Sequence, residues 1–222
     1  MMWPMSSPAV ARRSLARLGP IAQLRAGRLG RRLPQLLLGL WLYGVSLAMI
    51  VRAALGNAPW DVLHQGLAHH LPLTFGQVLI VVSVAVLLLW IPIREIPGLG
   101  TVLNTFLIGI AADWTLSFLD TPTSLWLRVA LLVGGVFLNG IATASYIGSQ
   151  FGPGPRDGLM TGLHRRRGWS LFKVRTGLEI TVVILGFLLG GTLGLGTLVY
   201  AFGIGPLTHW LLPIFTVDLG QD

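Results

Sequence analysis

Apolar side chains fill six long stretches of this chain, and short polar segments separate them. Each stretch approaches the roughly 20 residues that a helix needs to cross the hydrocarbon core of a bilayer. Tryptophans stand near several of the stretch ends, as in the aromatic belts of membrane interfaces. The pattern therefore predicts six membrane-spanning helices: Pro34–Val51, Thr74–Ile91, Thr101–Phe118, Leu125–Ile147, Leu171–Leu189 and Thr197–Phe215.

The second half of the chain repeats the first at an offset of 96 residues. When residues 43–114 are aligned without gaps to residues 139–210, 19 of the 72 pairs are identical. The chain thus divides into an N-terminal segment (1–33), a first three-span unit (34–118) and a second three-span unit (125–215). An odd number of spans places the second unit upside down relative to the first. Inverted repeats of this kind are found in many secondary transporters.

Two motifs recur at this offset and predict breaks between helices. Residues 56–63 read Gly-Asn-Ala-Pro-Trp-Asp-Val-Leu, and residues 152–159 read Gly-Pro-Gly-Pro-Arg-Asp-Gly-Leu. Proline suits the first position of a helix, and an early aspartate faces the positive end of the helix dipole. Residues 98–101 and 194–197 both read Gly-Leu-Gly-Thr. The predicted helix-break residues are Gly56, Pro59, Gly100, Thr101, Gly152, Gly154, Pro155, Gly196 and Thr197.

Composition agrees with the span pattern. The chain is 53% hydrophobic and only 11% charged, with a mean hydropathy of +0.73, whereas soluble domains carry about 25% charged residues. Arginines concentrate in residues 12–32 and 156–175. Such clusters mark the cytoplasmic side of bacterial membrane proteins, so both termini are predicted to be cytoplasmic and residues 1–33 to be a positively charged tail. The same distribution favours a lipid bilayer rather than nucleic acid as the partner of these charges.

These motifs resemble the YczE/YyaS/YitT group of bacterial multi-pass membrane proteins. The similarity rests on the Gly-x-Gly-Pro-Arg-Asp-Gly-Leu segment, the Ala-Pro-Trp-Asp copy and the two Gly-Leu-Gly-Thr turns, and it covers roughly residues 35–213. The resemblance implies a location in the bacterial cytoplasmic membrane and a polytopic helical fold. It implies no particular substrate.

The two breaks also carry the candidate substrate-binding residues. Asp61 and Asp157 either cap their helices or frame a polar cavity between the two units. Trp60 and Arg156 occupy equivalent positions in the repeat, so one side can stack or seal while the other binds charge. Arg156 can equally serve as a positive anchor at the cytoplasmic surface.

A charged pair lies within the fifth predicted span. Glu179 stands close to the middle of that span, and Arg175 precedes it by four residues on the same helical face. An isolated charge at this depth costs at least about 2.5 kcal/mol on insertion scales. The pair either permits insertion by mutual neutralisation or forms a proton or substrate site.

The function predicted first is therefore a small-solute secondary transporter or channel of unknown substrate. A second hypothesis is a membrane scaffold that docks a protein or anionic lipid on its arginine-rich cytoplasmic face. Hydrolase, protease and nucleotide-binding signatures are absent from the sequence, which predicts no enzyme and no cofactor. The chain has no cysteine and its histidines lack ligand spacing, so no metal site is predicted either.

Overall fold

The computed structural model describes residues 19–219. Within this range every regular element is an α-helix, and ten helices follow one another along the chain. They are α1 (Pro20–Arg25), α2 (Leu29–Ala53), α3 (Pro59–His70), α4 (Phe75–Leu88), α5 (Trp90–Ile93), α6 (Leu99–Leu116), α7 (Leu125–Gly148), α8 (Pro155–Arg167), α9 (Leu171–Leu188) and α10 (Leu195–Phe215).

Five segments among residues 19–219 are long and apolar enough to cross a membrane. They are α2, the continuous α4–α5 segment Phe75–Ile93, α6, α7 and α10. Residues 19–219 are thus all-helical with five candidate spans. The sixth predicted span coincides with α9, but α9 is not among the five, because Lys173, Arg175 and Glu179 all lie within its 18 residues.

The first long helix begins earlier than the sequence predicted. α2 starts at Leu29, and α1 precedes it, so residues 20–25 and 29–33 of the predicted tail are helical. Arg32, which the sequence placed in that tail, is completely buried. Its burial is possible because its guanidinium binds backbone carbonyls elsewhere in the chain. Residues 1–18 of the predicted tail lie outside the described part.

Helix starts follow the 96-residue offset of the sequence repeat. α2, α3, α4 and α6 begin at Leu29, Pro59, Phe75 and Leu99, and α7, α8, α9 and α10 begin 96 residues later at Leu125, Pro155, Leu171 and Leu195. Local chemistry explains several of these starts, since proline opens α3 and α8, and serine or threonine side chains cap α4 and α9. The boundaries of the two units are therefore set by matching residues.

The two units exchange their short helices. α2 packs along α7 and α6, and α7 packs in turn on α10, which gives a central core of long helices. α3 of the first unit packs on α9 of the second, whereas α8 of the second packs on α4 and α5 of the first. Each short helix also packs on a helix of its own unit, α3 on α4 and α8 on α9, so both short helices lie at the interface between units.

Arginine side chains tie the ends of α2 and α7 together. Arg32, near the start of α2, donates from Nε to the carbonyl oxygen of Ser149 at 2.9 Å and from Nη2 to that of Gln150 at 3.0 Å. Its guanidinium also lies 4.2 Å from the centroid of the Phe151 ring. Carbonyls at a helix C-terminus lack partners within the helix, so this arginine caps the end of α7.

The equivalent arginine of the second unit makes the reciprocal contact. Arg128, 96 residues after Arg32, donates to the carbonyl oxygens of Ala53 and Ala54 at 2.7 and 2.5 Å. These carbonyls close the end of α2. The two clamps relate positions 32, 149 and 150 to positions 128, 53 and 54 by the same offset, which is evidence for a structural repeat beyond residues 43–114.

Candidate functional site

Both predicted breaks adopt the same backbone conformation. Gly56 and Gly152 have φ angles of +115° and +105°, a region that residues with a Cβ rarely adopt. A Cβ on Gly56 would in addition lie 2.7 Å from the backbone nitrogen of Gly194. Pro59 and Pro155 then open α3 and α8. The glycine and proline of each motif therefore serve to turn the chain sharply into a short helix.

Each Gly-Leu-Gly-Thr turn docks on the break of the other unit. The amide of Gly100 donates to the carbonyl oxygen of Phe151 at 2.8 Å, and the amide of Gly196 donates to that of Leu55, also at 2.8 Å. Thr101 Oγ1 donates to the carbonyl oxygen of Pro153 at 2.7 Å. The amides of Gly100 and Gly196 donate to protein carbonyls and are therefore not available to a ligand. The two turns instead join one unit to the other.

Thr197 and Gly154 complete the interlock. Thr197 Oγ1 accepts a hydrogen bond from the amide of Gly194 at 3.3 Å, which caps α10 as its equivalent Thr101 caps α6. Gly154 directly precedes α8, where a Cβ would lie 3.1 Å from Nδ2 of Asn104. The predicted break residues with neighbours from the other unit are Gly56, Gly100, Thr101, Gly152, Gly154, Pro155 and Gly196.

Trp60 and Arg156, which occupy equivalent positions of the two units, contact each other. The guanidinium carbon of Arg156 lies 5.5 Å from the centroid of the Trp60 ring. Cation–π contacts of this kind form within about 6 Å of the ring centroid. The starts of α3 and α8 therefore face each other across the interface between units, with a cation on one side and an aromatic ring on the other.

Arg156 has no hydrogen-bond acceptor within residues 19–219. It lies deep in the molecule yet keeps some accessible surface, so the guanidinium borders an open space. Burial lowers its pKa, but four neighbouring acidic groups outweigh burial and raise the pKa above its ordinary value: Tyr43, Asp61, Tyr200 and Asp157. The group is a permanent cation at the centre of the site.

The two aspartates differ in their surroundings. Asp61 Oδ1 accepts a hydrogen bond from Nδ1 of His64 at 2.9 Å, and both residues are 1% exposed. Burial lowers the pKa of His64 more strongly than Asp61 raises it, which keeps the imidazole neutral near pH 7. Asp157 is exposed, and its Oδ2 accepts a hydrogen bond from the Tyr146 hydroxyl at 2.7 Å. Each carboxylate therefore has one neutral donor.

The sequence reasoning missed the tyrosines of this site. The chain has three tyrosines, and all three lie here, with Tyr43 and Tyr146 packed edge to face at a centroid distance of 6.1 Å. The Tyr200 hydroxyl donates to Oδ1 of Asn139 at 3.0 Å. The repeat alignment contains the signal, because Tyr43 pairs with Asn139, and Tyr200 pairs with Asn104. Polar residues of both units thus recur at the same two depths within the spans.

A cavity of about 800 Å³ leads to one side of the site. Its lining includes Asp157 and the Gly152–Pro153 backbone, and the charged residues Arg94, Glu95 and Arg165 also line it. Asp61, the equivalent of Asp157, is almost completely buried. The site is therefore open towards the second break and closed at the first.

The predicted pair on α9 forms next to this group, since Arg175 interacts electrostatically with Asp157 and Tyr200. Arg175 Nε donates to Oε1 of Glu179 at 2.9 Å, and the two side chains are 47% and 28% exposed. Among the described residues, neither hydrogen-bonds to Arg156 or to the two aspartates. In residues 19–219 there is also no group of three metal-ligating side chains.

Comparison with known proteins identifies similar chains. Residues 30–213 match a family described as a family of unknown function (DUF6198). A protein of Haemophilus influenzae is 41% identical over 179 residues, which cover 81% of this chain and 82% of that protein. YczE of Bacillus subtilis, named as a membrane protein, is 33% identical over 77% of this chain and 80% of its own length. YyaS of Bacillus subtilis is 27% identical over 80% and 90%. No solved structure matches.

Proposed function

We propose, since the chain belongs to the YczE/YyaS family of membrane proteins and to DUF6198, that it is a small-solute secondary transporter or channel of the bacterial cytoplasmic membrane. The solute site lies between the starts of α3 and α8. The single observation that carries this proposal is the meeting of Arg156 and Trp60, from equivalent positions, across the interface of the two units. The partly buried guanidinium has no hydrogen-bond acceptor in the described residues, so its N–H donors remain available to a solute.

An inverted pair of three-helix units accounts for the geometry. The reciprocal arginine clamps and the reciprocal Gly-Leu-Gly-Thr interlocks both follow the 96-residue offset. In transporters of this architecture, solute sites form near the middle of the bilayer where equivalent helices are broken. The break motifs here lead into α3 and α8, which contribute Asp61, Arg156 and Asp157.

The sixth span of this proposal is α9. It has the length of the other spans, and its Arg175–Glu179 pair neutralises the two charges that lie deepest in it. With six spans and a cytoplasmic N-terminus, the cavity that reaches Asp157 opens to the cytoplasm. A second state, in which the first break opens and the second closes, follows from the equivalence of the two breaks and would complete an alternating-access cycle.

The scaffold hypothesis places function on the basic surface instead. Two arginines of that surface are already engaged within the chain, since Arg165 pairs with Glu95 at 2.5 Å and Arg166 donates to the carbonyl oxygen of Pro92. A docking surface built from these arginines would have to compete with those contacts. This observation favours the interior site over the basic surface.

Proteoliposomes provide the test of transport. Vesicles containing the wild-type chain or the Arg156→Gln variant are incubated with an isotope-labelled extract of bacterial metabolites, and their contents are identified by mass spectrometry. We expect at least one small solute to accumulate in wild-type vesicles and not in variant vesicles. If vesicles with folded wild-type protein contain the same solutes as vesicles without protein, transport is rejected and the result favours the scaffold hypothesis.

A further inference from the structure

We infer that the site between α3 and α8 binds a small zwitterion, a solute that carries one carboxylate and one ammonium group, as a neutral amino acid does. This inference rests on the proposed function and adds the chemical class of the solute. It is carried by a guanidinium without an acceptor, two carboxylates with remaining acceptor capacity and an aromatic wall, all at the junction of the two units.

The guanidinium of Arg156 supplies the carboxylate site. It makes no hydrogen bond within residues 19–219, although it has five N–H donors in a planar fork. Its fork matches a carboxylate in a bidentate arrangement. Nε1 of Trp60, from the ring that faces Arg156, also lacks an acceptor in the described part of the chain, and Trp60 is only 6% exposed. The Arg156 guanidinium and Trp60 Nε1 are therefore adjacent donors without an acceptor in the described part of the chain.

The aspartates supply the ammonium site. Asp61 and Asp157 each accept one hydrogen bond from a neutral side chain, His64 and Tyr146 respectively. An ionised carboxylate has about four lone-pair sites, so both retain free acceptor positions. Asp157 borders the cavity, which makes it the carboxylate that an entering ammonium group would reach first.

Charge balance selects the zwitterion over singly charged solutes. With both carboxylates ionised, these two groups and one guanidinium give the site one net negative charge, to which the neighbouring Arg175–Glu179 pair adds nothing. An anion would add a second negative charge in a poorly hydrated interior, and a cation would leave the guanidinium without its acceptor. A zwitterion satisfies both kinds of group and leaves the net charge unchanged.

Aromatic rings define the rest of the site. Trp60 lies against Arg156, and Tyr43 and Tyr146 pack edge to face beside it. Such rings bury apolar surface while their polar atoms remain available for hydrogen bonds. The wall therefore suits a solute with an apolar side chain next to its two charged groups.

Binding is tested on the purified full chain in detergent. Its thermal unfolding is followed with three probe mixtures at equal, saturating concentration: the neutral L-amino acids, the primary amines that lack their carboxylate, and the carboxylic acids that lack their amino group. We expect only the amino-acid mixture to raise Tm, by about 3 °C if it reaches roughly ten times its Kd. The active amino acid is then identified from single compounds.

Variants connect binding to the site. Arg156→Gln is expected to weaken binding of that amino acid by about 10-fold to 100-fold, the effect of losing charge-assisted hydrogen bonds. Arg167→Gln removes an arginine from an exposed position of the same helix and is expected to leave binding unchanged. Size-exclusion profiles and Tm values without ligand establish that both variants are folded. Equal binding by wild type and Arg156→Gln would overturn the inference.

The remaining outcomes separate substrate class from transport. The inference of a zwitterion is overturned if the amines alone or the carboxylic acids alone stabilise the protein as much as the amino acids do. It is also overturned if no probe stabilises the protein. Amino-acid binding without uptake by wild-type proteoliposomes supports the zwitterion site and rejects transport. Uptake of another solute without amino-acid binding supports transport and rejects the zwitterion.

Discussion

At the scale of single residues, the two units use equivalent positions for different chemistry. Position 60 carries tryptophan and its equivalent 156 carries arginine, and these two side chains meet at the site. The backbone positions around them have not diverged, since Gly56 and Gly152 share a positive φ angle. The positive φ angle thus favours glycine at both positions, while the side chains at positions 60 and 156 are free to differ.

Gly56→Ala is predicted to destabilise the protein strongly. The alanine Cβ would lie less than 3 Å from the backbone of Gly194, and residue 56 would have to keep a φ of +115°. We expect a loss of at least about 1–3 kcal/mol, the usual cost of a sparsely populated backbone conformation. Unfolding in detergent measures the change.

Gly177→Ala is the matched control for this prediction. Gly177 lies within α9, and a Cβ there meets nothing within 4 Å. Alanine is more favourable than glycine inside a helix by about 1 kcal/mol, so the control should unfold at an equal or higher temperature. Similar losses in the two variants would contradict the role assigned to the Gly56 turn.

At the scale of helices, reciprocal contacts at the ends of α2 and α7 add to the packing of these helices along their lengths. Arg32, near the start of α2, caps the last carbonyls of α7. Arg128, near the start of α7, caps the last carbonyls of α2. Backbone carbonyls at a helix end cost free energy when they are buried without a donor. The clamps therefore fix how far α2 and α7 slide along each other.

Arg32→Leu is predicted to lower the free energy of unfolding by about 2–5 kcal/mol. The substitution removes three buried hydrogen bonds, to Ser149, Gln150 and Gln23, and leaves their carbonyl oxygens without this donor. Arg31→Leu is the control, because Arg31 is exposed. Chemical unfolding in detergent compares the two. Equal stability of both variants would show that the clamp contributes nothing.

At the scale of the whole molecule, the two sides of the site are unequal. The cavity reaches Asp157 at the second break, and no comparable exposure reaches Asp61 at the first. Under the proposed transport function, one open and one closed break correspond to one end state of an alternating-access cycle, with the open side next to Arg94 and Arg165.

Cysteine labelling tests this sidedness, and the absence of native cysteine makes the background clean. Cysteine at Arg166 is expected to react with a membrane-impermeant maleimide only from the cytoplasm, and cysteine at Asp120 only from outside. Cysteine at Asp157 should react from the same side as that at Arg166, whereas cysteine at Asp61 should react far more slowly. Labelling of Arg166 and Asp120 from one side would reject six inverted spans.

Sequence alone determined the long-range order of the chain. Length and apolarity of the stretches predicted helices within a few residues of α2, α4, α6, α7, α9 and α10, because hydrophobic length and turn chemistry are local properties. The structure confirms an all-helical fold with five candidate spans over residues 19–219, and the family comparison confirms the resemblance read from the break motifs. The offset of 96 residues also located both breaks, since proline and glycine mark helix starts and turns on their own.

Tertiary structure decided which of these residues meet. The sequence placed Arg32 in a charged tail and offered no reason to join Tyr43, Tyr146 and Tyr200, because contacts between residues a hundred positions apart depend on how helices pack. It also grouped the Arg175–Glu179 pair with the site, and in the structure the two side chains bind each other while Arg175 interacts electrostatically with Asp157. Trp60 meets Arg156 because α3 and α8 both pack between the two units, where apolar side chains of both units form one cluster.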